Sequence, residues 1–205
     1  MRHLAQNRSV NASLLSIACN VIDNSLKFAC CYQQLGSVNI LLEHFGAFPS
    51  TGTFGLACEA GNLTTIQLLL QDERVDPNES DCASFFQAID NGQVEVLKLL
   101  LTDPRIDPSV KGNRAVTLAC TKHRLEILQL LLLDPRVDPS VDDNTCIRQA
   151  SKVGAVAVVQ ILLQHERVNI HAKNDEALKS ALRFGHKEVV GVLLQHQKNE
   201  IKQQN

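Results

Sequence analysis

Hydrophobic residues recur along this chain at a long fixed period. Ala57, Ala88, Ala119, Ala150 and Ala181 each stand 31 residues after the last, and Ala29 joins them at a spacing of 28. Counting from each Ala, position −3 is Leu26, Phe54, Phe85, Val116, Ile147 or Leu178, and position +9 is Val38, Ile66, Leu97, Leu128, Val159 or Val190. Position +11 is again always aliphatic, and +12 and +13 are Leu in every unit, from Leu41–Leu42 to Leu193–Leu194. Only 44% of the chain is hydrophobic, so an unbroken run at six positions in six units is a structural constraint and not an accident of composition. Positions −3 and 0 share one side of a short helix. Positions +9, +12 and +13 form the i, i+3, i+4 stripe of a second, longer one.

The polar positions punctuate the same pattern. Gly61, Gly92, Gly154 and Gly185 fall between the two helices, where a C-cap needs positive φ; Gln33 and His123 take that place in two units. After the second helix come Asp-Glu-Arg-Val-Asp-Pro at 72–77, Asp-Pro-Arg-Ile-Asp-Pro at 103–108 and Asp-Pro-Arg-Val-Asp-Pro at 134–139, in which proline stops the helix. A lone helix pair has no core, so its stripe must be buried on neighbouring pairs, and Ala at position 0 lets the helices meet closely. The predicted fold is an all-α solenoid of about six helix-turn-helix repeats. Its units run at about 24–49, 50–80, 81–111, 112–142, 143–173 and 174–199, with a capping segment at 1–23 and a polar tail at 200–205.

These residues resemble the ankyrin family. Gly185-His-Lys-Glu-Val-Val-Gly-Val-Leu-Leu194 and Gly92-Gln-Val-Glu-Val-Leu-Lys-Leu-Leu-Leu101 follow its second-helix pattern, and Ala57-Cys58, Ala119-Cys120 and Ala29-Cys30 sit where the family has Ala-Ala. The likeness covers about residues 24–199. It departs in two ways: the Thr-Pro-Leu-His opening of the first helix is missing from every unit, and the period is 31 where the family's is usually 33. Both departures fall in or beside the finger loop and put regular β-hairpin fingers in doubt.

Composition narrows the function. A net charge of −2 and 4% aromatic residues argue against a nucleic-acid reader built on a basic field and stacked rings. No apolar run approaches a bilayer's length of ~18 residues. Arg2 and Arg8 ahead of Ala12–Ile22 imitate a secretory signal loosely, but polar residues interrupt the stretch, and a cap helix in a cytoplasmic protein is the better reading. Seven cysteines without Cys-x-x-Cys or zinc-type spacing read as reduced, buried thiols. Neither a phosphate-cradling loop nor a catalytic His motif is present, and the Asp-x-Arg-x-Asp recurrence reads as an Asp–Arg ladder between adjacent loops. The expectation is a non-enzyme without cofactor, metal or small-molecule substrate.

The family resemblance implies that a partner protein is held on the concave face, by loop tips and by the two residues following the Ala-Cys-type pair. On the numbering of this chain the contacts are Asp90, Asn91, Thr121, Lys122, Lys152, Val153, Arg183 and Phe184. Lys111, Asn113, Asn144, Lys173 and Asp175 join them from the loops. Glu59, Glu79, Asp81 and Asp90 make the earlier units acidic, whereas Lys111, Lys122, Lys152, Lys173 and Arg183 make the last three basic. The expected partner is therefore a protein with an acidic segment lying over repeats 4–6, anchored by Phe184. Two other roles compete: substrate recognition within a ubiquitin ligase complex, and nucleic-acid binding through the Lys/Arg row.

Overall fold

The computed structural model describes residues 20–32, 34–43 and 52–203. Residues 1–19, which hold most of the expected capping segment and signal-like stretch, lie outside that range, as does Gln33. The described chain is helical throughout and forms two compact units, residues 1–88 and 89–205. The first unit holds α1 (20–31), α2 (Leu35–Glu43), α3 (Thr53–Ala60), α4 (Leu63–Gln71) and most of α5 (Glu79–Asn91). The second holds the end of α5, then α6 (Val94–Leu101), α7 (Val110–Thr121), α8 (Leu125–Leu132), α9 (Val141–Val153), α10 (Val156–Leu162), α11 (Ala172–Arg183) and α12 (Lys187–Gln203). Here α7, α9 and α11 pack side by side, as do α6, α8, α10 and α12. Helix α12 continues to Gln203, into the stretch expected to be a polar tail.

The periodic positions form the core. All six alanines of the series are buried, as are Leu26, Phe54, Phe85, Val116 and Ile147 at −3. On the second helix the buried face is shifted from the expected stripe. Val96, Ile127, Val158 and Val189 at +8 are buried with Leu97, Leu128 and Val159 at +9 and Leu100, Leu131, Leu162 and Leu193 at +12. From the second unit on, the leucines at +13 are only partly covered, because +8, +9 and +12 face the neighbouring pairs and +13 lies on the flank; in the first unit Leu42 at +13 is buried.

The turn between the helices is a Schellman closure. The N–H at +5 donates to the carbonyl of the Ala at position 0 in Arg124→Ala119, Ala155→Ala150 and His186→Ala181, each at 2.9 Å. The cap residue takes positive φ, 76° at Gly154 and 54° at His123, so His substitutes for Gly without changing the turn.

No strand occurs among the described residues. In place of β-fingers, the links at 72–78, 103–109 and 134–140 each make two Asx turns around one buried aliphatic residue, and in the link at 165–171 His165 Nδ1 takes the place of the first carboxylate. Asp103 Oδ1 accepts the Arg105 N–H and Asp107 Oδ1 that of Ser109, both at 2.9 Å, and Ile106 between them is buried. The pattern repeats with Asp134, Val137 and Asp138, and with Asp72, Val75 and Asp76. The Arg side chain folds back on the same loop's Asp, at 2.6 Å for Arg74–Asp72 and Arg105–Asp103 and 2.7 Å for Arg136–Asp134. Each of these Arg side chains thus clasps its own loop's Asp, and the expected link between loops is present beside the clasp: Arg136 Nη1 donates to the Ile106 carbonyl at 3.2 Å, and Arg136 and Arg167 interact electrostatically with Asp107 and Asp138 of the preceding loops. The Arg hydrogen bonds hold Asp72, Asp103 and Asp134 below the usual carboxylate range, with partial burial opposing them.

Three consecutive residues turn left-handed within the first turn of α5, α7, α9 and α11: Ser80–Cys82, Lys111–Asn113, Asp142–Asn144 and Lys173–Asp175, all with φ between 49° and 64°. Asn, Asp and Gly fill most of these places, the types that tolerate this region best. This turn is the physical content of the missing Thr-Pro-Leu-His opening and of the shortened period.

Candidate partner-binding face

The residues expected to bind a partner fall into three groups. Asn113 and Asn144 are buried, and their Oδ1 atoms accept the backbone N–H of Asp138 and Asn169 in the next loop, each at 2.7 Å. They tie one loop to the next and offer no contact surface, which corrects their placement at the loop tips. Their shared register at −6 was the signal of a structural role. Asp175 holds the same register in the last described unit; it is half-buried and pairs with His171 Nδ1. Its hydrogen bond, with the charges of Asp175 and Glu200, raises the His171 pKa against the opposing effect of burial. Lys111 and Lys173 are exposed at the left-handed turn, with Lys173 3.5 Å from Asp143.

The remaining positions, at +2 and +3, sit at the C-terminal ends of the first helices. There the structure brings a +2 side chain of one unit to the +3 side chain of the next. Asp90 and Lys122 form an ion pair at 2.6 Å. Two units along, Lys152 Nζ lies 6.0 Å from the centre of the Phe184 ring, and the Arg183 guanidinium lies 5.7 Å from it. Asn91 and Thr121 are exposed, and so are Val153 and Phe184, by 59% and 49%. Lys152 and Arg183 make no ion pair with any described residue. Charge along the row is therefore uneven: Asp90 uses Lys122, while Lys152 and Arg183 keep their charge around two exposed apolar side chains.

A second set of contacts holds these helix ends in place. Arg124 Nη2 donates to the Asp90 carbonyl at 2.6 Å, and His186 Nε2 donates to the Lys152 carbonyl at 3.0 Å, which fixes its proton on Nε2. Each side chain packs over the cap glycine of the preceding unit: a Cβ on Gly92 would lie 2.9 Å from Arg124 Nη1, and one on Gly154 would run into the His186 ring. Where the cap is His123, the corresponding residue of the next unit is Ala155. Arg148 was not singled out from sequence, yet it donates to the Asp142 and Asp143 carbonyls of its own left-handed turn and pairs with Glu176 of the next unit at 2.9 Å.

No group of three or more His, Cys, Asp or Glu residues could hold a metal ion among the described residues, and none of the described helices is long and apolar enough to cross a membrane. Cys30 and Cys58 are buried and their thiols are pushed up to about 12.

A family model described as ankyrin repeats (3 copies) matches residues 26–112, 54–143 and 116–205. No curated protein matches the chain. Among solved structures the chain is similar to the ankyrin repeat domain of Bcl-3, described as a unique member of the IkappaB protein family. The TM-score is 0.70 and the identity 20%, over 84% of this chain and 85% of that one; at this identity the likeness concerns the fold.

Proposed function

The chain belongs to the ankyrin repeat family, whose repeats serve as protein–protein interaction modules, and on that premise we propose that it is a non-catalytic module gripping an acidic segment of a partner protein across its last three repeats. One observation carries this reading: Lys152 and Arg183, without an internal counter-ion among the described residues, lie 6.0 and 5.7 Å from the ring centre of the exposed Phe184, and Val153 is exposed as well. An aromatic with two cations near its ring suits an acidic side chain next to an apolar one, since the ring supplies buried area and the cations supply orientation and on-rate. The gradient from acidic early units to basic late ones is part of the same reading, with Asp90–Lys122 as its crossover.

The test compares the proteins retained by the wild type with those retained by a Lys152→Glu/Arg183→Glu variant and a Phe184→Ala variant. Affinity for the retained partner should fall about 10- to 100-fold in each, with unchanged circular dichroism. Unchanged partners and affinities would refute this face as the binding site. Retention of single-stranded DNA or RNA with a steep salt dependence would move the reading to nucleic acid, and co-purification of ubiquitin-ligase subunits would support the adaptor role.

A further inference from the structure

A small cavity of about 160 Å³ opens on the candidate face between α7 and α9. Its floor is apolar: Cys120, Cys146 and Ala150 are all buried. Its rim is formed by Thr121, His123, Gln149 and Val153, all of them exposed, so the cavity communicates with the surface. The nearby hydroxyls are already engaged. Thr117 Oγ1 lies 3.6 Å from Cys146 Sγ, and Thr121 Oγ1 donates to the Leu118 carbonyl at 3.0 Å. The floor therefore presents thiols and a methyl, which receive a hydrocarbon group better than a polar one. Thr117 helps to keep the space open, since the flanking units carry the larger Phe86 and Arg148 at the same register. In the next seam, between α9 and α11, Arg148 is committed to its pair with Glu176 at 2.9 Å. A cavity of about 150 Å³ is known to hold one benzene, so this one has room for a single side chain of leucine to phenylalanine size.

The rim also adjoins the charged part of the face. Val153 follows Lys152, whose Nζ lies 6.0 Å from the Phe184 ring centre, with the Arg183 guanidinium 5.7 Å from the same ring. We propose that this cavity is the anchor pocket for one large apolar side chain of the acidic partner segment, and so sets which acidic segments the chain accepts. The proposal rests on the binding role given above. Charge complementarity supplies the acidic part of the occupant, and the floor and volume of the cavity supply the apolar part. Neighbouring helices pack about 8–10 Å apart, and an extended chain advances about 3.3 Å per residue. The apolar residue therefore stands about three residues from the acidic side chain that meets Lys152 and Arg183.

Random peptides displayed on phage and selected on the full chain supply the probe. Enriched peptides should carry acidic residues with one Leu, Ile, Met or Phe about three residues away. In such a peptide made synthetically, replacing the apolar residue by Ala should weaken binding about 10- to 100-fold. Thr117→Phe, which narrows the cavity, should weaken the parent peptide to a similar degree and leave the Ala-substituted one unchanged, as expected for a single shared contact. Should Thr117→Phe misfold by circular dichroism, the methyl resonances of Ala150 and Val153 in the wild type decide: they should shift with the parent peptide and stay in place with the Ala-substituted one. Peptides that respond to Lys152→Glu/Arg183→Glu but are indifferent to their apolar residue and to Thr117→Phe would overturn the pocket and leave the acidic-segment role standing. Peptides that need the apolar residue yet ignore the charge reversal would overturn the acidic-segment role itself. Enrichment of no peptide would overturn both.

Discussion

Asn113 and Asn144 show how one side chain can substitute for a missing motif. Each sits in the left-handed region at the last residue of its turn, is buried, and receives the N–H of the following loop. Asn113→Ala removes the acceptor and leaves the buried Asp138 N–H without a partner, a cost of about 1–3 kcal/mol; Asn144→Ala should behave alike, and chemical denaturation of both variants measures it. Gly154→Ala meets two obstacles, a φ of 76° and the His186 ring lying over the cap. The backbone alone costs roughly 1–2 kcal/mol, and the thermal midpoint should fall further than for Gly185→Ala, where nothing lies within 4 Å of the added Cβ.

At the scale of the element, the links at 103–109 and 134–140 share one design: two Asx turns, an Arg clasp and a buried Ile or Val. Their carboxylates have folded pKa values below their unfolded ones. Their stabilisation is therefore present above the unfolded value of about 3.9 and is lost as pH falls through the lowered folded values. An Asp103→Asn/Asp134→Asn variant should melt below the wild type at neutral pH and converge with it in strong acid; equal melting at neutral pH would show the clasps to be energetically idle. The last link follows the opposite sign. Interaction with Asp175 and Glu200 raises the His171 pKa, so its contribution is complete below the unfolded value of about 6.5 and disappears as pH rises through the folded value. His171→Gln should therefore lose more stability relative to wild type at mildly acidic than at mildly alkaline pH, which melts at both conditions decide.

Considered as a whole molecule, a repeat array is stabilised by contacts between neighbouring units, and a helix that covers a unit's outer surface adds to them. Here α12 extends past Leu194 through Gln203, and Glu200 reaches His171 at 3.5 Å and His196 at 3.6 Å. Truncation after Leu194 deletes this extension from beside a leucine already 40% exposed. The truncated protein should scatter more light on heating and exchange its α11 and α12 amides faster. Unchanged exchange would mean that the extension stabilises nothing.

What could be determined from the one-dimensional pattern was the periodic part: helix pairs, the turn between them, a core of Ala, Leu and aliphatic residues, and the membership of an array. These are legible because burial acts on every unit alike and so prints itself on the chain at a constant step. The placement of the leucine stripe one position off, the folding of Asp-x-Arg back on itself, the burial of Asn113 and Asn144, the roles of Arg148 and His186, and the meeting of Thr117 with Cys146 were decided only by the tertiary structure. Each depends on which side chain of one unit reaches which backbone or sulfur of the next. That distance is set by helix packing and by a left-handed turn with no fixed sequence, and it leaves no periodic trace.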